Sequence, residues 1–253
     1  MTLMRWKLVI EYKGTSFHGW QRQDGHASVQ QSIEEAIYKF CQQDVTLHVA
    51  GRTDSGVHAR GQVAHCDLDR FSQEMDGFMV TKAINAHLRP LPISVLSAEI
   101  VDPEFHARFA ATNKLYQYRI INRPSFLTVD QDLAWHVKQP LDVSAMHEAA
   151  QRLLGHHDFT SFRDSACQAK SPMKTLDRLD VTGHGEEIRI EAESRSFLHH
   201  QVRNMVGSLK LVGEGKWNGD DLKSILEAKD RTKAGPTAPA DGLYLMRVDY
   251  PSN

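Results

Sequence analysis

The sequence predicts an α+β protein built on a largely antiparallel sheet. Three observations carry this. Several segments alternate apolar and polar residues with period two, the pattern of a strand with one covered face. Others set apolar residues on one helical stripe. The two kinds mix without the strict strand–helix–strand alternation of a parallel, doubly wound sheet.

Arg5–Tyr12 is the first strand, with Trp6, Leu8, Ile10 and Tyr12 on one face. Ser28 opens a helix, and Gln31 stands where a capping box needs it. Val29, Ile33, Ala36, Ile37 and Phe40 form the apolar stripe of that helix. Val45–Ala50 and Gln62–Cys66 read as strands around a Gly-bracketed loop. Met79, Val80, Ala83, Ile84 and Leu88 mark a second helix, which Pro90 and Pro92 stop. Ile93–Val101 is another strand. In the second half, Leu115–Ile121 reads as a strand with Tyr116, Tyr118 and Ile120 on one face. Asp142 caps a helix whose stripe runs from Val143 to Leu154, with Gly155 at C′. Thr175–Thr182 and Glu187–Glu193 flank a Gly183-His184-Gly185 turn and predict a hairpin. Leu198, Val202, Met205, Val206, Leu209 and Val212 mark a helix, Asp220–Ala228 a shorter one, and Leu243–Tyr250 a closing strand.

The chain of 253 residues has 41% hydrophobic and 25% charged residues, the balance of a soluble globular protein. No apolar run reaches the ~20 residues of a membrane span. Met1–Lys7 leads straight into a strand pattern and carries no signal-peptide core. Cys41, Cys66 and Cys167 are few and scattered, which predicts reduced thiols in a cytoplasmic protein. Neither CxxC nor HExxH occurs, which disfavours a zinc deaminase or metal hydrolase. The net charge of −2 argues against wholesale non-specific binding to nucleic acid, and leaves room for a local basic surface.

The most informative stretch is Gly51-Arg52-Thr53-Asp54-Ser55-Gly56-Val57-His58-Ala59. Loops held between strands concentrate functional residues, and Gly51 and Gly56 allow a tight backbone with close approach. A guanidinium near a carboxylate favours its charged form. Asp54 is thus a candidate nucleophile or base, and Arg52 its candidate partner. Read alone, the pattern favours an ordinary turn aspartate at Asp54.

GRTDSGVHA resembles the active-site motif of the TruA family of tRNA pseudouridine synthases, usually written GRTDAGVHA, with Ser55 where alanine is commoner. Tyr12–Gln23 (YKGTSFHGWQRQ), Phe105–Tyr118 (FHARFAATNKLYQY), Gly155–Arg163 (GHHDFTSFR), Ser196–Val206 (SFLHHQVRNMV) and Ala234–Leu245 (AGPTAPADGLYL) resemble further family segments in the same order. The resemblance implies two ferredoxin-like halves joined into one largely antiparallel sheet, with the active-site cleft between them. We place the halves at 1–102 and 103–253, around Asp102-Pro103.

The resemblance also implies the chemistry: uridine is isomerised to pseudouridine at positions 38, 39 and 40 of the tRNA anticodon stem-loop, by a cytoplasmic homodimer acting on tRNA. No metal, nucleotide or redox cofactor is implied, and the sequence holds no motif for one. Asp54 matches the essential aspartate, the nucleophile. Attack at C1′, addition to C6 and removal of the C2′ proton remain open as its route. Arg203 matches the arginine that pairs with the aspartate; its bland reading is the solvated face of a helix. Tyr116 matches the tyrosine stacked on the target base, and Tyr118 competes for that role. Leu245 matches a residue packing the uracil pocket, or is plain core. Arg52, His58, Arg60, His106, Arg108 and Arg163 line the cleft or contact phosphate in this reading, His199 faces the same cleft one turn before Arg203, and some of the motif residues only brace loops. The rival readings are a synthase of the same family with another RNA target, and a non-catalytic RNA-binding module.

Overall fold

The computed structural model describes residues 3–69, 71 and 75–251. They fall into two units, Met1–Thr112 with Leu245–Asn253, and Asn113–Tyr244.

The first unit starts with β1 (Leu3–Tyr12), where Trp6, Leu8, Ile10 and Tyr12 are buried and the intervening residues are only partly covered. The period-two pattern therefore faces its apolar side inward, as expected. β1 pairs antiparallel with β3 (His58–Asp69) on one side and with β4 (Ile93–Val101) on the other. β2 (His48–Val49) adds to β3, and β11 (Leu243–Asp249) follows β3 in the strand order. α1 (Val29–Cys41) and α2 (Gly77–Leu88) pack on each other, and α2 also packs on β4.

Ser28 does cap α1, accepting the Gln31 N–H at 3.3 Å. The expected reciprocal half of a capping box is absent, because the Gln31 amide donates to Glu35 one turn on. The segment 45–50 forms only a two-residue strand, so most of its apolar run serves as a connection. β3 is longer than the apolar run 62–66 and already begins inside the GRTDSGVHA motif.

The second unit holds β5 (Asn113–Asn122), β9 (Arg178–His184) and β10 (Glu187–Ser194), ordered β5-β10-β9 with both pairings antiparallel. β6 (Trp135–Val137) joins β5 in parallel. β7 (Gly155–Asp158) and β8 (Met173–Leu176) make a separate antiparallel pair. α3 (Val143–Ala150) packs on β9 and on α4 (Gln201–Gly213), and α5 (Gly219–Ala228) completes the helical layer. α3 is shorter than its stripe predicts. A 3₁₀ turn follows it, and Gly155 (φ +102°) opens β7 instead of closing the helix. α5 carries a complete capping box between Asn218 and Asp221.

The units are drawn differently from 1–102 and 103–253. Asp102–Thr112 is bound to the first unit: Arg5 donates to the Phe105 carbonyl (2.9 Å), and Ala107 is held by His65 and Tyr250. The last strand also belongs to that unit from Leu245 on. Asp102-Pro103 ends a strand without ending a unit.

The three cysteines are free thiols, Cys66 and Cys167 buried. Among the described residues no helix is long and apolar enough to cross a membrane.

In the second unit Glu187 receives Arg119 Nε at 2.7 Å and Arg189 Nε at 3.1 Å. Burial pushes its carboxyl up, but the donors from Arg119 and Arg189 outweigh this and hold it down to about 2. A carboxyl whose folded pKa is depressed adds stability above its unfolded pKa and loses it as the pH falls through the folded one. Glu187→Gln is therefore expected to lower Tm at neutral pH, the gap to wild type closing between about pH 5 and pH 2. Thermal unfolding across this range checks it; a gap independent of pH would assign the effect to packing.

Candidate active site

In the first unit, the loop 51–57 lacks ladder partners of its own and is held by side chains and by a second loop. The Tyr12 hydroxyl meets Thr53 Oγ1 at 2.7 Å, both groups buried. Burial pushes the Tyr12 phenol up to about 12, so it remains a neutral hydrogen-bonding group. Gln62 Nε2 donates to the Gly51 carbonyl at 2.8 Å. The Thr53 carbonyl accepts the Trp20 N–H at 3.0 Å, and Ser55 Oγ donates to the Phe17 carbonyl at 3.2 Å. The Tyr12–Gln23 motif is thus the cradle of the GRTDSG motif.

Glycine is required where the two loops touch. A Cβ on Gly19, which has φ +83°, would stand 2.7 Å from the Thr53 carbonyl oxygen and 3.1 Å from the Asp54 carbonyl carbon. Asp54–Val57 closes as a turn through the Val57 N–H and the Asp54 carbonyl (3.2 Å), with Gly56 at φ +81°. That is the position of a type II turn which favours glycine. Asp54, first in this turn, is half-buried.

Arg52 is exposed and makes no hydrogen bond or ion pair among the described residues, so it is not the salt-bridge partner of Asp54 in this structure. His58 is buried, and its Nδ1 accepts the Gly14 N–H at 3.0 Å, which makes it a brace for the cradle. Arg60 is exposed beside Glu11 (3.4 Å), a pair worth little in solvent. His106 and Arg108 lie on the turn after β4. His106 Nδ1 accepts the Arg108 N–H at 3.1 Å, and Arg108 is exposed. Leu245 is fully buried in β11.

In the second unit, Tyr116 and Tyr118 share one face of β5, and their surroundings separate them. The Tyr118 hydroxyl donates to the Pro239 carbonyl at 2.8 Å, and its ring is fully buried. Burial pushes its phenol well up. Tyr118 is thereby committed to the core. Tyr116 meets Phe197 edge-on at 5.3 Å, which ties β5 to the segment leading into α4. Lys114, on the same strand face, is also buried, and the sequence reading passed over it.

Arg203 is half-buried on α4. Its Nε donates to the Ala238 carbonyl at 2.8 Å, while the Ala238 N–H donates to the Arg203 carbonyl at 3.1 Å. The Nε bond and the half-burial distinguish Arg203 from an arginine on a freely solvated helix face. Asn204, fully buried, donates to Phe162 and accepts from Arg231 (3.1 Å) and Thr237 (2.7 Å). The Ser208 hydroxyl accepts the Gly235 N–H at 2.9 Å. Asn204, Ser208 and Arg231 were missed, although two of them interrupt the apolar stripe of α4 with buried polar side chains. His200, also missed, opens α4 at φ +60° and binds Asp164 through Nδ1 at 2.7 Å. The His199 ring lies 4.0 Å from that of His200, inclined by 34°, and is the more exposed of the two. Asp164 is held below the usual carboxylate range by the Ala166 N–H and, despite its burial, by His200.

A family model described as tRNA pseudouridine synthase matches residues 8–110 and 149–251. A tRNA pseudouridine synthase A of Paramagnetospirillum magneticum is 61% identical over 246 residues, covering 97% of this chain and 95% of the relative. That of Rhodospirillum centenum is 57% identical over 248 residues, 98% of this chain and 100% of the relative. That of Rhodospirillum rubrum is 54% identical over 249 residues, 98% of this chain and 88% of the relative.

The backbone of 234–239 lies directly on α4. A Cβ on Gly207 would collide with the Pro236 carbonyl oxygen, and one on Gly235 would stand 2.9 Å from the Gly207 oxygen. Neither neighbour is a flexible side-chain end. Gly207→Ala is expected to destabilise the protein by about 1–3 kcal/mol, the usual cost of overpacking. Chemical denaturation of the variant checks this, and an unchanged midpoint would mean that this contact tolerates a methyl group.

Proposed function

The chain belongs to the tRNA pseudouridine synthase family, and we propose that it isomerises uridine to pseudouridine in tRNA, at positions 38, 39 and 40 of the anticodon stem-loop. The observation that carries this reading is the GRTDSGVHA loop, fixed by Tyr12, Gln62 and the Gly14–Trp20 segment, with Asp54 at its turn. In the reaction the N1–C1′ bond breaks and a C5–C1′ bond forms. C5 gives up a proton and N1 takes one up, so no atom is gained or lost.

In this reading Asp54 is the nucleophile and Arg203 the guanidinium that pairs with it. The Arg203 Nε contact to Ala238 sets the plane of the guanidinium, which supports a directional role. Tyr116 stacks on the flipped uracil and Leu245 packs beside it. A uridine stacked in a stem must be extruded first, at a cost of a few kcal/mol. Arg52 and Arg108, exposed and without carboxylate partners among the described residues, are suited to phosphate. Arg60 and His199 are further RNA contacts in this reading, and His58 acts through the loop it braces. The reading extends to a homodimer working in the cytoplasm, on family grounds.

Asp54→Asn is nearly isosteric but neither nucleophilic nor basic. It is expected to lower tritium release from 5-³H-uridine-labelled tRNA by more than ~10³-fold while tRNA binding survives. Activity within about tenfold of wild type would falsify the assignment of Asp54.

Arg203→Lys keeps the charge but loses the planar fork. The expected loss is roughly 10²-fold in kcat, the scale set by misplacing a catalytic group. If kcat/KM stays at the wild-type value, the site needs only a positive charge there.

A further inference from the structure

The turn after β4 exposes an aromatic ring that the isomerisation does not use. This turn is rigid at its root. Ala107 is fully buried, its N–H donating to His65 Nδ1 (3.1 Å) and its carbonyl accepting the Tyr250 hydroxyl (2.8 Å). Arg5, itself paired with Asp67, donates to the Pro103 and Phe105 carbonyls. The Ala110 N–H returns to the His106 carbonyl at 2.9 Å.

What projects from this root is unlike a solvated loop. Phe109 is 69% exposed. His106 lies 4.3 Å from its ring and inclined by 36°, and the Arg108 guanidinium stands 5.9 Å from the ring centre. Behind them, His106 meets His65 edge-on at 4.8 Å, and His48 stacks on His65 at 5.0 Å. Burial, then its neighbouring cations, keep the His106 imidazole from protonating as readily as a free one; the same causes hold His65 down to about 4. Both rings are therefore neutral near pH 7, while Arg108 keeps its charge.

A fixed, outward aromatic surface beside a cation matches one unpaired nucleotide, its base on the ring and its phosphate on the guanidinium. We propose that Phe109, with His106 beside it and Arg108 next to it, is a stacking platform for an unpaired nucleotide of the RNA substrate. This rests on the reading of the chain as an enzyme acting on tRNA, and it assigns a function to Phe109 and a joint role to His106 and Arg108. His48 belongs to the short strand that leads into the loop of Asp54. The platform and the catalytic loop thus share one rigid frame, so a nucleotide held on Phe109 fixes the register of the RNA relative to Asp54. An isolated ring with a cation offers too little contiguous apolar area for a protein interface of ordinary size.

The test compares Phe109→Ala, Phe109→Trp and Arg108→Gln with wild type. It uses the full-length protein and tRNA transcripts, with Kd from filter binding and kcat and KM from tritium release. Phe109→Ala is expected to raise Kd and KM by about 5- to 150-fold, the span of base stacking, with the smaller effect on kcat. Phe109→Trp restores binding, and Arg108→Gln weakens it and flattens its salt dependence. Photocrosslinking with 4-thiouridine-substituted tRNA is expected to mark the peptide containing Phe109. An unchanged Kd in Phe109→Ala overturns the platform, and so does an unchanged Kd with a shift in oligomeric mass, which assigns the ring to a protein contact. If wild type binds tRNA without isomerising it, the activity reading falls while the Kd comparison still decides the platform. If wild type binds no tRNA, both fall.

Discussion

The position of the loop 51–57 depends on the buried contact between the Tyr12 hydroxyl and the Thr53 side chain. The loop 51–57 gains nothing from a ladder, so its conformation must come from groups outside it. Tyr12 is the last residue of β1, the central partner of β3 and β4, and its ring is part of the core. The hydroxyl therefore transmits the rigidity of the sheet to the loop. Such a bond adds only about 1 kcal/mol net, but leaving either buried oxygen unpaired costs about 1–3 kcal/mol. That asymmetry, more than the bond itself, selects one loop conformation. Gln62 extends the same network to the Gly51 carbonyl and the Tyr12 oxygen.

The second unit solves a related problem with backbone. Arg203 lies on a helix whose other residues are mostly buried, and a long side chain loses considerable rotamer entropy when fixed. The segment 234–239 removes that freedom. Gly207 and Gly235 let two backbones come into contact, and Ala238 then binds both the side chain and the carbonyl of Arg203. Asn204 and Ser208 satisfy polar groups that this close approach would otherwise bury unpaired. The sequence segment SFLHHQVRNMV and the segment AGPTAPADGLYL are thus two sides of a single joint.

Much of this was legible in the sequence, for reasons that differ by element. β1 could be read because its alternation reports burial directly, and α2 and β4 because a helical stripe ends at a proline pair; of that stripe Val80, Ile84 and Leu88 are buried, whereas Met79 is exposed. β6 and β7 were not read, and the strand expected over Thr175–Thr182 is divided between the end of β8 and most of β9. β6, β7 and β8 are three or four residues long, too short for a period to repeat, and their pairing partners lie elsewhere in the chain. The candidate site was legible by wording more than by physics. Asp54 and Arg203 stand out through the motifs they occupy, and composition alone left each as ordinary. Proximity in sequence misled at Arg52, two residues from Asp54 yet pointing to solvent. Motif membership also hides a division of labour. His58 faces inward to hold Gly14, while Arg52 faces outward, and nothing in GRTDSGVHA distinguishes a brace from a contact.

The net charge of −2 looks unsuited to a polyanionic partner, but the distribution of pairs resolves this. Arg178 alone faces Asp180, Glu191 and Glu193, so carboxylates outnumber the cation on the β9–β10 pair. Arg119 is likewise consumed by Asp130 and Glu187, and Lys210 by Glu214. These acids act chiefly on their own partners, because fields between exposed charges decay within ~8 Å at physiological salt. Arg52 and Arg108 belong to the first unit and have no carboxylate within reach among the described residues. A phosphate meets the local charge, not the sum. An acidic chain can therefore bind RNA at arginines that have no carboxylate beside them, while its acids cluster around other cations.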